Sequence, residues 1–366
     1  GEDGEDGEDG DGTAVEGPGG EGEPEEPAAE AAPGWPTATK PAAAGSETAE
    51  LARRWVSYAV GVVLGRFQPG VNGALGNGLA ALPAPEGTPP AECVAWQALR
   101  SSPLPMGEGP GEGADGIATL DHGHPSDLAD SVTRALELFV GERAVETLLR
   151  AATGGRPLGE WLARDFFKEH ARQYRKRPIY WLLQSPKRRY GVYLFSERVT
   201  RDTLHLLRGN RYLGGRIASI QKDIAERRQV IATLPQGRER RRAEREMDAL
   251  EAEMTDLEAF DKALATVTGR TNSRGETVGW APELDDGILI NLAPLHPLLP
   301  VWSAEAKQCW AALERGDYDW SHTAMRYWPD RVRNACRTNK SYAIAHGIES
   351  SEGIKMPAQI EGDASP

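Results

Sequence analysis

The chain is poor in cysteine. Its 366 residues include three, Cys93, Cys309 and Cys336, placed far apart. No CxxC pair or Cys/His set has metal-ligand spacing, so a zinc site is not expected, and a reduced cytoplasmic compartment fits best. Long apolar runs are also missing. The longest, Trp55 to Leu64, is too short to cross a bilayer, so no membrane partner is expected. The N-terminus is acidic instead of basic and apolar, so no signal peptide is visible there. The absence of an initiating Met leads us to expect a fragment or the distal half of a split gene. No Ser-His-Asp set, HExxH, P-loop or metal cluster offers hydrolytic or phosphoryl-transfer chemistry.

Glycine (41) and proline (26) are abundant, and hydrophobic content is 39%, low for one compact globule. The formal charge of −13 is unevenly placed. Residues 1–50 hold 15 acidic side chains against Lys40, which leaves 41 basic and 40 acidic residues on the rest. The acidic balance therefore describes a tail, and the body is free to bind a polyanion. Residues 1–50, opening GEDGEDGEDGDG, cannot repay the entropy of ordering and read as disordered.

The densest signal runs from Trp161 to Phe195. Leu158, Trp161, Leu162 and Phe166 share one face of a helix that closes at Tyr174, because Pro178 biases Arg177 away from helical geometry. Arg172, Arg175, Lys176, Arg177, Lys187, Arg188 and Arg189 follow with no acidic residue among them, interleaved with Tyr174, Tyr180, Trp181 and Tyr190. These seven cations are the candidate nucleic-acid contacts. Tyr190 to Phe195 reads as a short strand.

RKRPIYWLLQSPKRRYGVYLF, the preceding WLARDFFKEH and the following SERVTRDTLHLLRGNRYL resemble the C-terminal region of the large, PglX-type adenine-specific DNA methyltransferases of BREX (phage growth limitation) defence systems. SYAVGVVLGRFQPG (Ser57–Gly70), LDDGILIN (Leu284–Asn291) and DYDWSHTAMRYWPDRVRNACRTNKSYAIAHG (Asp317–Gly347) fit the same group in the same order.

The remaining segments give further expectations. A helix over Glu50–Phe67 would bury Leu51, Trp55, Tyr58, Ala59, Val62 and Val63, with Gly61 and Gly65 allowing close packing. Gly76 to Ala81 formally fits GxGxxA, but no strand precedes it, so a cofactor loop is not expected. His122 and His124, one residue apart, read as a loop and not as metal ligands. Ser126 or Asp130 caps a helix over Asp130–Ala152, and Gly154-Gly155 ends it. Asp202 and Thr203 open another helix.

Ile217, Ile220, Ile224, Ile231 and Leu234, answered by Ala243, Met247, Leu250, Met254, Leu257, Asp261 and Leu264, predict an antiparallel coiled-coil hairpin. Arg227 fills its polar seam position, and Arg238, Arg240, Arg241, Arg242 and Arg245 crowd its tip. Asp285 and Asp286 read as a turn, not as paired catalytic carboxylates. Helices over Ser303–Arg315 and Ser321–Arg337 end the ordered chain, with Pro329 dividing the second. Trp302, Trp310, Tyr318, Trp320, Tyr327 and Trp328 are placed in a core.

The expected fold is mainly α, α+β at most. Its parts are an acidic segment (1–50), helices with a Gly/Pro-rich linker (51–160), a basic helix-strand-helix core (161–212), the hairpin (213–268), a C-terminal helical segment (269–350) and a tail (351–366). The resemblance implies a full enzyme that takes a methyl group from S-adenosylmethionine and extrudes an adenine from duplex DNA. It also implies a glycine-bearing turn after a strand and an Asn/Asp/Ser-Pro-Pro-aromatic loop. Neither is found, and the only Pro-Pro pair, Pro89-Pro90, lies between Thr88 and Ala91. No catalytic residue, cofactor ligand or metal ligand is therefore assigned to this chain. Its expected partners are double-stranded DNA and the catalytic portion or other defence-system proteins. The competing expectation is a protein-docking scaffold that does not touch DNA.

Overall fold

The computed structural model describes residues 44–67, 115–174 and 177–348. At its centre is a three-stranded antiparallel sheet of β1 (Ile117–Thr119), β2 (Tyr180–Gln184) and β3 (Gly191–Phe195), in the order β1-β3-β2. Every strand residue is buried, so the pleat sends alternate side chains into two separate cores. Ile117, Trp181, Leu183, Val192 and Leu194 enter one. Ala118, Tyr180, Leu182, Tyr193 and Phe195 enter the other. The fold is mainly α with this small sheet between helical layers.

The single strand expected over Tyr190–Phe195 thus starts at Gly191 and has a partner on each side. The sequence concealed β2 because a strand covered on both faces reads as an apolar run, YWLL before Gln184, with no alternation.

One layer contains α1 (Ala44–Val63), α2 (Leu128–Val140), α3 (Glu142–Thr153), α4 (Leu158–Trp161) and α5 (Phe167–Gln173). α1 buries Ala52, Val56, Ala59, Val60 and Val63, while Leu51 is 58% and Trp55 37% exposed. The expected face holds at Ala59, Val62 and Val63, whereas in the earlier turns Ala52 and Val56 are buried in place of Leu51 and Trp55. Gly61 is needed for packing: a Cβ there would lie 2.3 Å from the Phe67 ring and 2.9 Å from the Tyr180 hydroxyl.

The helix expected over Asp130–Ala152 is two helices. Gly141, at φ 83°, breaks it, and Asp127, not Ser126 or Asp130, caps α2 by accepting from the Ala129 amide. Gly154 ends α3 in the left-handed conformation, as expected. Between α4 and α5, Leu162–Phe166 form a π-helical turn. Its widened ladder leaves carbonyls for the sheet: Leu162 O accepts from Tyr193 Oη at 2.7 Å and Ala163 O from Gln184 Nε2 at 2.9 Å.

The opposite layer contains α6 (Thr203–Arg208) and a hairpin of α7 (Leu213–Thr233) and α8 (Arg238–Thr268). Ile220, Ile224, Ile231, Ala243, Met254, Leu257 and Leu264 are buried in the hairpin. Arg227 pairs with Glu246 across the seam at 2.9 Å. Asp261 departs from the expected repeat. It turns outward to take the Arg208 guanidinium at 2.7 and 3.1 Å, and Phe260 occupies the buried place against Tyr190.

Beyond the hairpin, a 3₁₀ turn (Leu284–Asp286) leads into α9 (Ile288–Leu292), a second 3₁₀ segment (Ala293–Leu298), α10 (Ser303–Arg315), α11 (His322–Tyr327), α12 (Pro329–Cys336) and α13 (Lys340–Ala345). Pro329 begins α12, which divides the helix expected over Ser321–Arg337 as predicted. Ile290, Cys309, Leu313, Ala324, Val332 and Cys336 form their core. Arg331 ties it together: it forks onto the Asp319 carboxylate at 2.7 Å, donates to the Leu313 and Glu314 carbonyls, and packs over Trp328.

Candidate nucleic-acid interface

The turn between β2 and β3, Ser185 to Tyr190, is built around a carboxylate from another element. Asp256 of α8 is buried and reaches under the turn. It accepts from the Ser185 hydroxyl at 2.5 Å, the Lys187 amide at 2.7 Å and the Arg189 amide at 3.3 Å. Ser185 Oγ in turn accepts from the Arg189 and Tyr190 amides, both at 3.1 Å. The inner side of the turn is thus a ring of N–H groups filled by one negative charge. Its side chains have no room inward, so Lys187, Arg188 and Arg189 project into solvent. Arg188 is left-handed (φ 58°), and Arg189 is fixed to α8 by a 3.3 Å hydrogen bond from Nη1 to the Ala249 carbonyl.

The seven candidate cations do not make one patch. Arg172 lies in the last turn of α5 and Arg177 precedes β2; both are exposed. Lys187, Arg188 and Arg189 lie beyond the other end of β2, whose five residues span roughly 13 Å at ~3.3 Å per residue. Arg175 and Lys176 lie outside the described residues. None of the five described cations forms an ion pair among the described residues. The interleaved aromatics are not a stacking surface: Tyr180, Trp181 and Tyr190 are buried, and half-buried Tyr174 accepts from Arg66 at 2.9 Å.

The start of β2 is held by His170. Its Nε2 accepts from the Ile179 amide at 3.0 Å and the Tyr180 amide at 3.2 Å, and its ring stacks on Tyr180 with centroids 4.7 Å apart. Burial, followed by the Arg66 charge, pushes the imidazole down to about 3. It is therefore neutral at pH 7 and serves as an acceptor.

Other polar candidates have structural partners. His124 uses both ring nitrogens, one facing the Arg211 carbonyl at 2.7 Å and one accepting from Ser126 at 2.9 Å. His122, whose side chain is 92% exposed, lies near Asp127 and Asp130 instead. Asp286 points to α11, accepting from the His322 and Thr323 amides at 2.7 and 2.6 Å, so it does not face Asp285 as a catalytic pair would. Ser321 caps the same helix. Trp310 packs against Tyr327 and Trp328 and beneath Arg270, inside the C-terminal cluster. Gly76 to Ala81 lie outside the described residues.

Behind β1, the Gly123 amide is committed to Asp127 at 3.3 Å. Behind β2, the amides are committed to Asp256 and Ser185. Among the described residues, no helix is long and apolar enough to cross a membrane.

No family model matches the chain. It is 29% identical over 160 residues to a protein of Escherichia coli O9:H4 (strain HS) described as "Adenine-specific methyltransferase BrxX". The match covers 43% of this chain and 12% of that protein. The chain is thus related, over part of its length, to an adenine-specific methyltransferase that is far longer than the matched region.

Proposed function

We propose that this chain is a DNA-positioning portion of a BREX-type N6-adenine DNA methyltransferase. Methyl transfer and the methyl donor would belong to a catalytic portion outside it. The observation that carries this reading is the clamped turn. A buried carboxylate consumes the backbone amides and forces three adjacent cations outward with no acidic partner among the described residues. A rigid, outward cluster of this kind neutralises phosphates and releases their counterions. It fixes where the duplex lies without reading bases. Arg172 and Arg177, beyond the other end of β2, give a second point of contact on the same reading. The relationship to an adenine-specific methyltransferase supports DNA as the polyanion.

The combined variant Lys187→Gln, Arg188→Gln, Arg189→Gln tests this. DNA affinity is expected to fall alike for every sequence, and the slope of log K against log salt to flatten by about 2 to 3, at ~0.9 per phosphate contact. Filter binding or fluorescence anisotropy across a salt series measures both. An unchanged slope, or a loss confined to one sequence, would contradict the assignment. Binding that ignores salt would instead favour the docking scaffold.

A further inference from the structure

The basic turn does not stand alone. Arg238, Arg241, Arg245, Ala249, Ala252 and Asp256 of α8 follow one another at intervals of three or four residues. They fall within a sector of roughly 80° at ~100° per residue, a single face of the helix. At one end of this face Asp256 grips the turn that carries Lys187 and Arg188. Further along, the Ala249 carbonyl holds the Arg189 guanidinium. Beyond it Arg245, Arg241 and Arg238 continue to the hairpin tip, all exposed and none in an ion pair among the described residues.

The other arginines nearby are committed elsewhere. Arg240 pairs with Glu244, Arg242 and Arg227 with Glu246, and Arg228 with Glu251. Glu244, Glu246 and Glu251 are thereby held on its flanks, with Asp248 at the edge of the open face and Glu239 exposed beside Arg238.

We infer that this face of α8 is a track for duplex DNA, running from the clamped turn to the hairpin tip. The proposal rests on the DNA-positioning reading and extends it from one turn to a surface of six cations. From Asp256 to Arg238 the helix advances roughly 27 Å at ~1.5 Å per residue. That length matches about eight base pairs at ~3.4 Å each. A rigid, rod-shaped polyanion fits a straight row of this length. The i,i+4 Arg–Glu pairs on the flanks hold the helix without using the row.

The test uses the full chain and a random-sequence duplex of about 20 base pairs across a salt series. It compares wild type, the turn variant above, and the combined variant Arg238→Gln, Arg241→Gln, Arg245→Gln. The track predicts that the tip variant flattens the salt slope by up to about 2.7 and weakens binding by about two orders of magnitude at 0.1 M salt. Replacing the same three by Lys should keep the wild-type slope, which separates loss of charge from loss of the helix. Wild-type binding that is lost in the turn variant but unchanged in the tip variant overturns the track and leaves the positioning function standing. No wild-type binding at low salt overturns both.

Discussion

We expect the fold to lose about 3 kcal/mol of stability between pH 7 and pH 4 through His170 alone, because one pKa unit is worth ~1.4 kcal/mol. The folded imidazole titrates at about 3, chiefly through burial and then through the Arg66 charge, against an ordinary value of 6.5. The unfolded chain therefore takes up the proton first as the pH falls. His170's contribution is complete above about pH 7, declines from pH 6.5 downward and is exhausted near pH 3. Geometry points the same way: a charged ring would place a proton on Nε2, which now accepts from the Ile179 and Tyr180 amides. His170→Gln offers an amide oxygen as acceptor and has no titration. Chemical denaturation of both proteins at pH 7 and pH 4 checks this, and the wild type should lose about 3 kcal/mol more than the variant. Parallel losses would show that His170 does not drive the acid sensitivity.

The second large effect is at Asp256. Asp256→Ala removes the shared acceptor of the Ser185 hydroxyl and the Lys187 and Arg189 amides. Hydrogen bonds to a charged acceptor contribute ~1.5–3 kcal/mol each, and unmade buried donors cost more, so a loss of about 3 kcal/mol or above is expected. Asp256→Asn keeps the shape and one acceptor oxygen, and should lose roughly half as much. Urea unfolding measures both, with an unchanged m-value marking a true stability change. In the Asn variant the turn loosens while the helices persist, so DNA affinity should also fall. An unfolding midpoint for Asp256→Ala equal to wild type would mean that the clamp does not organise the turn.

The helices were largely legible because each carries its own local signal. Gly154, Pro329 and Asp202 punctuate the chain where the sequence places them, and Ser303–Arg315 has the expected bounds. Faces were less legible. In α1, Leu51 and Trp55 look like anchors, but Ala52, Val56 and Val60 are buried in the core shared with α2 and α3, where small residues let helices pack close. β2 was hidden by burial on both sides, and β1 by its length of three residues.

The candidate site was half visible. The cations of Lys187, Arg188 and Arg189 stand out by composition, but the device that aims them depends on Asp256, 69 residues from Lys187. On α8, Asp256 falls one position before Leu257 of the apolar repeat and reads as an ordinary surface charge. Nothing local marks a carboxylate that is satisfied across such a separation. Likewise, the expected patch joined Arg177 to Lys187 because they are neighbours in sequence, whereas an extended strand keeps them apart.

The most direct test of the central claim is a titration of the full chain against duplex DNA at about 50 mM and 200 mM salt. A chain that positions DNA through six to seven phosphate contacts should bind at the lower concentration and lose about three orders of magnitude of affinity at the higher. The loss should be the same for unrelated sequences. No binding at 50 mM salt, or binding that the added salt leaves unchanged, would contradict the account.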